Sequence, residues 1–305
     1  MAVNRGYPTR MPDEEKNEQS LRFGLLSSRL GLALYFLLPN RWCWACLSQE
    51  ERSRIDAGNE HHNNYRPDYA DPNQYQQGLG FDSAESSRRH RDRHRLVNFL
   101  DRLQPRSVLE IGPGSGHLTR VVVEHPAVHR YTAVDINNNF LTHLRPRLAS
   151  LQKPRFTFNL VHGNIGDVPD KGFDAAVLMS SLHHIPDREA LFHALAQRLT
   201  NHGSIIAIDP THYILRFRHV IRKITSPGYL AKALEEAQNR RLSTHAMCQL
   251  AEYQAVTQRT GFEISHVTFD GIPSKVRRLR DVGIPLGPLW RWMSQEMTIE
   301  CSKRR

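Results

Sequence analysis

A short glycine-rich turn constrains the fold of this chain more than any other feature. The strand-like run Val108–Ile111 ends directly in Gly112-Pro113-Gly114-Ser115-Gly116, and a helical pattern follows. Glycines let the backbone turn sharply and approach a ligand closely, and the start of a helix offers free N–H groups to an anionic group. This order of strand, turn and helix predicts a ligand site at the carboxyl end of a sheet.

The segments after Arg106 alternate between short β-branched runs and amphipathic helices. Such alternation indicates an α/β fold with a doubly wound, parallel sheet whose ligands bind at the carboxyl ends of the strands. We predict strands over 107–111, 131–136, 156–161, 173–179 and 204–208, and helices over 116–124, 139–150 and 188–199. A preceding helix begins near Asp82-x-x-Glu85, which is typical of a capping box, and reaches about Leu103.

A carboxylate at the end of the second predicted strand supports a nucleotide-like ligand. Asp135 lies roughly twenty residues beyond the turn, where α/β folds bind ribose hydroxyls. The fingerprint for dinucleotides requires a third glycine where this chain has His117. The sequence therefore disfavours a dinucleotide such as NAD.

Two motifs resemble those of the class I methyltransferases that use S-adenosylmethionine (SAM). The run from Glu110 to Gly116 reads E-x-G-x-G-x-G, like motif I of that family. The run from Ser180 to Asp187 looks like the motif after strand four in small-molecule members of the methyltransferase 11/12 type. The resemblance spans roughly 96–271 and implies a Rossmann-like sheet of seven strands, mostly parallel, with an antiparallel last strand over 297–301.

The resemblance also implies which residues bind SAM. Asp135 would bind the ribose, Ile136 would lie against the adenine, and Asn164 would accept a hydrogen bond from the adenine amino group, although Asp is commoner there. We expect the cofactor site to comprise Glu110, Gly112, Pro113, Gly114, Ser115, Gly116, Asp135, Ile136, Asn164, Ile165 and Ser180.

Catalysis demands few side chains, because SAM carries its own electrophile. The protein must align a nucleophile and, for a hydroxyl or a carbon acid, remove a proton. His183 and His184 are the candidate bases, with His184 slightly favoured, and a structural role is the alternative for either. His212 and His245 are candidates only for the pocket wall, and we expect no metal.

The remainder of the chain predicts three parts. Residues 1–20 are polar and form a disordered tail, 21–80 form a helical or lid extension, and 81–305 form the SAM-binding domain with a helical insertion at about 211–260. The apolar run 23–39 is shorter than the roughly 20 residues of a spanning helix. It predicts a helix that packs on the domain, with an interfacial helix at a membrane surface as the alternative.

Charge and cysteine content bear on partners and location. The formal net charge of +10 favours anionic partners such as nucleic acid, an acidic membrane surface or a carboxylated substrate. The densest basic run, 88–95, predicts a solvated helix face, with phosphate or carboxylate binding as the alternative. The 4 cysteines form no disulfide framework, which favours the cytoplasm, and we interpret Cys43 and Cys46 as incidental thiols.

The sequence favours a small-molecule or lipid-like acceptor, methylated on oxygen, nitrogen or carbon. Enzymes that methylate amino groups of bases in nucleic acid use an Asn/Asp-Pro-Pro-Tyr clamp after strand four, and 180–183 is not one. We interpret Asp209-Pro210-Thr211 as a strand-ending turn. Two alternatives stay open: an RNA or protein methyltransferase that uses the basic surface, and a non-catalytic subunit that binds SAM.

Overall fold

Seven strands form one sheet in the computed structural model, which describes residues 49–50, 53, 87–185, 187–210, 250–270 and 296–304. The strands are β1 (Ser107–Ile111), β2 (Arg130–Asp135), β3 (Thr157–His162), β4 (Phe173–Met179), β5 (Leu199–Pro210), β6 (Phe262–Asp270) and β7 (Glu296–Lys303). The helices are α1 (Ser87–Leu103), α2 (Thr119–Glu124), α3 (Asn138–Ala149), α4 (Arg188–Arg198) and α5 (Leu250–Arg259).

The sheet has the order β3-β2-β1-β4-β5-β7-β6. The first five strands of this order pair in parallel, and β7 runs antiparallel to both β5 and β6. The predicted fold class is therefore confirmed, including the antiparallel last strand. The strand order reverses between β1 and β4, which is where a doubly wound sheet opens a crevice for a ligand.

Two layers of apolar side chains cover the two faces of the sheet. Successive residues of a strand point to opposite faces, so Val108 packs in one layer and Leu109 in the other. Helices α1, α2 and α3 supply the first layer with Leu96, Val122 and Leu144, among others. Helices α4 and α5 supply the second layer, which includes Phe192 and Tyr253.

The predicted elements differ from the observed ones mainly at their ends. Strands β1 and β4 have the predicted bounds, whereas β5 begins earlier than predicted, at Leu199. Helix α2 begins at Thr119 rather than Gly116, because the backbone still turns with a positive φ of 82° at Gly116. Strand β6 has no counterpart among the predicted strands.

Two arginines of α1 form ion pairs with strands of the sheet. Arg95 pairs with Asp270 on β6, and Arg102 pairs with Glu300 on β7. Arg95 also lies 3.3 Å from Asp92 within the helix. The expectation of a solvated face over 88–95 is therefore wrong for Arg95. Arg102 lies beyond that run, and both arginines fasten α1 to the antiparallel part of the sheet.

Several expectations fall outside the described residues. They concern the tail and the extension over 1–80 apart from 49–50 and 53, the capping box at Asp82 and Glu85, the part of the insertion over 211–249, the pair Cys43 and Cys46, and the histidines His212 and His245. Among the residues that the structure describes, no helix is long and apolar enough to cross a membrane.

Candidate active site

A cavity of about 950 Å³ opens at the carboxyl ends of β1, β2 and β4. Its volume falls near the top of the range of roughly 300–1,000 Å³ that is usual for ligand pockets. Every predicted site residue except Gly116 lines it, namely Glu110, Gly112, Pro113, Gly114, Ser115, Asp135, Ile136, Asn164, Ile165, Ser180, His183 and His184. Gly116 is buried beside the cavity, and its N–H donates to the carbonyl of Pro113 at 3.0 Å.

Two glycines of the turn are required for different structural reasons. Gly112 and Gly114 both have positive φ, at 67° and 51°, which glycine adopts far more readily than other residues. A Cβ at Gly112 would lie 2.9 Å from the Cβ of Ser181, so the turn and the loop after β4 approach too closely for a side chain. A Cβ at Gly114 would meet no atom within 4 Å, because the residue faces open space.

Asp135 lies at the end of β2 and contacts the turn directly. Its carboxylate accepts hydrogen bonds from the backbone N–H of Gly114 at 3.2 Å and of Asn137 at 2.8 Å. Burial raises the pKa of Asp135 to about 6, although these two hydrogen bonds lower it. A buried carboxylate at this place can accept hydrogen bonds from the hydroxyls of a sugar.

Glu110 ties the turn to its two flanking elements. It is buried, and one carboxylate oxygen accepts hydrogen bonds from the hydroxyl of Tyr131 on β2 at 2.6 Å and from that of Thr119 on α2 at 2.9 Å. Burial raises the pKa of Glu110 to about 7, against the lowering effect of both hydrogen bonds.

The turn after β3 is built around Asn164. The side-chain oxygen of Asn164 accepts the N–H of Gly166 at 2.6 Å, and the carboxylate of Asp167 accepts the N–H of Asn164 at 2.8 Å. These two bonds form a capping box, so the amide oxygen expected to bind adenine already serves the turn. A carbonyl oxygen has two lone pairs, and a second bond stays open to it. Arg198 on α4 holds the turn by donating to the carbonyl of Gly166 at 3.0 Å.

Ile136 presents an apolar surface to the cavity. The residue is 41% exposed, which is unusual for a large apolar residue in the described part of the chain. The imidazole of His162 lies 3.0 Å from the carbonyl oxygen of Ile136 and fixes the backbone there. A flat aromatic ring such as adenine can pack against an exposed apolar side chain at a ligand site.

The loop after β4 differs from the expectation in one serine. The predicted Ser180 is exposed and has a positive φ of 56°, whereas Ser181 is buried, at 7% exposure. The hydroxyl of Ser181 has no hydrogen-bond partner among the described residues, and it lines the cavity beside Gly112. Sequence reasoning missed Ser181, because neighbouring serines cannot be told apart before the turn geometry is known.

The two predicted histidines lie side by side at the cavity wall. Their ring centroids are 4.0 Å apart, with His183 buried and His184 half-buried. Nδ1 of His183 lies 2.6 Å from a carboxylate oxygen of Asp209, near the end of β5. The sequence predicted only a turn at Asp209. Asp92 of α1 and His117 also line the cavity and were missed.

Acidic side chains outnumber basic ones on the cavity wall. Asp92, Glu110, Asp135 and Asp187 line it, and no lysine or arginine does so among the residues that the structure describes. This lining contrasts with the chain as a whole, whose formal net charge is +10. The positive charge of the chain lies elsewhere than on the described wall of this cavity.

The residues of the cavity fit SAM. Gly114 offers an open backbone cradle, Ser181 offers a buried hydroxyl without a described partner, and Ile136 offers an exposed apolar face. The carboxylates of the wall suit a ligand that carries a sulfonium and an ammonium group. Asp135 and Asn164 would hold the sugar and the base.

Comparisons with known proteins match the segment that carries this site to methyltransferases. A family model described as a methyltransferase domain matches residues 109–205. Phosphoethanolamine N-methyltransferase 2 of Caenorhabditis elegans is 26% identical over 111 residues, which cover 36% of this chain and 25% of that protein. The chain thus spans about a quarter of the length of this curated relative.

A solved structure of a methyltransferase shares the fold. A Galdieria sulphuraria protein, provisionally named a sarcosine dimethylglycine methyltransferase, superposes with a TM-score of 0.51 at 15% identity, covering 74% of this chain and 93% of its own. A SAM-dependent methyltransferase of Archaeoglobus fulgidus gives a TM-score of 0.49 at 17% identity, covering 73% and 96%. Residues 109–205, which carry the glycine turn, Asp135 and both histidines, are therefore similar to a methyltransferase domain.

Proposed function

We propose that this chain transfers the methyl group of SAM to a small-molecule or lipid-like acceptor, on oxygen, nitrogen or carbon. The observation that carries the proposal is the single cavity in which the glycine turn, Asp135 and the imidazoles of His183 and His184 meet. A cofactor held by the turn and an acceptor beside the histidines would then lie in the same cavity, as in-line transfer requires.

The charge of the cavity wall favours a small acceptor over nucleic acid. Proteins that bind nucleic acid neutralise phosphates with lysine and arginine. The described wall instead carries four carboxylates, at Asp92, Glu110, Asp135 and Asp187. The name of the curated relative, a phosphoethanolamine N-methyltransferase, agrees with a small acceptor. The expectation of an acidic group on the acceptor gains no support from the described wall.

In this mechanism the protein binds, orients and removes a proton. SAM, when bound, supplies an electrophilic methyl group. Asp135 and the turn would hold the cofactor, and the apolar residues of the wall, such as Ile185 and Leu191, would exclude water from the acceptor. An imidazole at His183 or His184 would accept the proton of a hydroxyl, ammonium or carbon acid.

Transfer of label from SAM tests the proposal. The purified chain is incubated with SAM tritiated on the methyl group and with a cell extract divided into lipid, small-molecule, RNA and protein fractions. We expect label in the lipid or the small-molecule fraction. The Gly114→Arg variant serves as the control, because a side chain at Gly114 would fill the space of the cofactor.

The other outcomes are informative too. Label found only in RNA or in protein would reject the acceptor class and favour the basic surface as the binding face. SAM binding measured by calorimetry, without label in any fraction, would favour a non-catalytic subunit. No binding of SAM at millimolar concentration would contradict the assignment of the site itself.

A further inference from the structure

We infer that Asp209 is a positioning residue that makes His183, rather than His184, the proton acceptor of the site. Its carboxylate holds the proton of the neutral imidazole on Nδ1 and leaves the lone pair on Nε2. The inference rests on the proposed function for the proton transfer, but the protonated nitrogen of His183 can be measured without any ligand. Asp209 lies beyond the matched methyltransferase segment, which ends at residue 205.

Asp209 lies near the carboxyl end of β5 and is only 2% exposed. One carboxylate oxygen accepts the backbone N–H of Leu182 at 3.2 Å, and the other accepts the backbone N–H of His183 at 3.1 Å. The second oxygen also lies 2.6 Å from Nδ1 of His183. The carboxylate thus grips both the main chain and the side chain of the same histidine.

This arrangement fixes the tautomer. An ionised carboxylate is an acceptor only, and its two oxygens already accept two backbone N–H groups. Nδ1 at 2.6 Å must then be the donor, so a neutral His183 has its lone pair on Nε2. A partner that orients a catalytic imidazole from its other nitrogen is the general arrangement of an activated base.

The surroundings restrict the rotation of the ring. His183 is 6% exposed, and the ring of His184 packs against it at 4.0 Å. The short helical turn over Leu182–His184 is itself anchored through Asp209, because the carboxylate accepts two of its backbone N–H groups. Asp209 therefore ties the loop after β4 to the end of β5 at the wall of the cavity.

Methyl transfer is coupled to the loss of one proton from the acceptor. The attacking atom of the acceptor forms a bond to the methyl carbon, and the carbon–sulfur bond breaks with its electron pair staying on sulfur. The proton of the attacking atom goes to Nε2 of His183, which becomes an imidazolium. The proton on Nδ1 stays in place, and the carboxylate of Asp209, which lies 2.6 Å from Nδ1, stabilises the new positive charge.

The nitrogen-15 NMR spectrum of the histidine side chains in the ligand-free protein tests the tautomer. It is recorded at a pH well above the ordinary titration range of imidazole, and the His183→Asn variant identifies the signals of His183 by their loss. We expect a protonated Nδ1 and an unprotonated Nε2. A neutral His183 with the proton on Nε2 would overturn the inference.

Three further variants separate positioning from general stability. Asp209→Ala removes the acceptor and should release His183 into a mixture of tautomers, whereas Asp209→Asn can place its carbonyl oxygen near Nδ1 and should keep the Nδ1–H form. Asp174→Ala is the matched control, because Asp174 accepts two backbone N–H groups, of Arg106 at 2.9 Å and Ser107 at 3.0 Å, at the opposite end of the sheet. It should leave the tautomer unchanged.

Label transfer then connects the tautomer to catalysis. With the most strongly labelled extract fraction as the acceptor, we expect His183→Asn to lower the rate by about 10²–10⁴-fold at unchanged SAM affinity. Asp209→Ala should lower it by a smaller factor, and Asp209→Asn less still.

Full activity of His183→Asn would overturn the base assignment. If no fraction accepts label although the Nδ1–H form is found, the proposed function fails while the pairing of Asp209 and His183 stands. If Asp209→Ala does not fold, the wild-type tautomer and His183→Asn still decide the matter.

Discussion

The backbone N–H of Gly114 donates to the carboxylate of Asp135 at 3.2 Å, so the glycine turn and the end of β2 contact each other directly. Two motifs that are separate in the sequence form one recognition unit in the fold. A ligand that binds Asp135 therefore also affects the backbone of the turn. The ionisation state of this carboxylate should in turn influence how the whole site binds the cofactor.

The affinity for SAM should depend on pH through Asp135. Burial raises its pKa to about 6, so protonation sets in close to neutrality. Because the ionised form is the better acceptor for ribose hydroxyls, we expect the affinity to fall below pH 6, by up to about tenfold per pH unit. Calorimetric titration between mildly acidic and mildly alkaline pH measures this. The Asp135→Asn variant should bind weakly at every pH, and an unchanged slope in that variant would contradict the assignment.

The space at Gly114 can be tested with a matched pair of alanine variants. Gly114 and Gly261 both have positive φ, at 51° and 80°, and a Cβ at either would meet no atom within 4 Å. Both Gly→Ala changes should lower the free energy of unfolding by about 1–2 kcal/mol through backbone strain alone. Only Gly114→Ala should weaken SAM binding, by at least about tenfold. Equal SAM affinity in the two variants would show that the turn does not hold the cofactor.

The buried hydroxyl of Ser181 should matter for SAM binding and not for folding. Since it has no partner among the described residues, Ser181→Ala should leave the free energy of unfolding unchanged or slightly higher. The SAM dissociation constant should rise, by roughly three- to tenfold for one lost hydrogen bond. Thr298→Val is the control, because its buried hydroxyl on β7 equally has no described partner and does not line the cavity. Equal SAM affinity of Ser181→Ala and the wild type would place this hydroxyl outside the site.

The stability of the domain should fall as the pH rises through the titration of Glu110. Its pKa is 4.5 in the unfolded reference and about 7 in the folded protein, so the folded state binds more protons between these values. Stability is then highest at the acidic side and decreases towards pH 7, by about 3 kcal/mol for this group. In Glu110→Gln the carbonyl oxygen can still accept from Tyr131 and Thr119. Denaturant unfolding of the variant should show a smaller pH slope, and an equal slope in both proteins would assign the effect elsewhere.

The core of the site could be predicted because its signals are local. The strand over 107–111, the glycine turn and Asp135 lie at spacings that the parallel βαβ geometry dictates, and the structure brings them together. The loop after β4 was recognisable from its own residues, so both histidines were placed near the cavity before the fold was known.

The rest of the site depends on contacts between distant parts of the chain. Asp209 reaches His183 only because β5 lies beside β4, and nothing in the sequence around Asp209 marks it as a partner of a histidine. Asp92 reaches the cavity through the packing of α1. Asn164 could be predicted as a site residue from its side chain. Its hydrogen bond to the N–H of Gly166 could not, because that bond depends on the backbone geometry of the turn.

Strand β6 was missed for a physical reason. Its apolar residues alternate as Phe262 and Ile264 and then as Val267 and Phe269, with one extra residue between the two pairs. The pairing with β7 shifts register between Ile264 and His266, which is the mark of a β-bulge. A bulge breaks the period of two on which strand prediction depends.

The position of β7 in the sheet bears on the order in which the domain can assemble. Among the strands that the structure describes, β6 pairs only with β7, and β7 lies between β6 and β5. Strand β6 can therefore join the sheet only after β7, which follows it in the chain, has paired with β5. A chain cut before Glu296 would thus lose two strands from the sheet instead of one. The end of β5, where Asp209 lies, would become a bare edge open to pairing with other molecules.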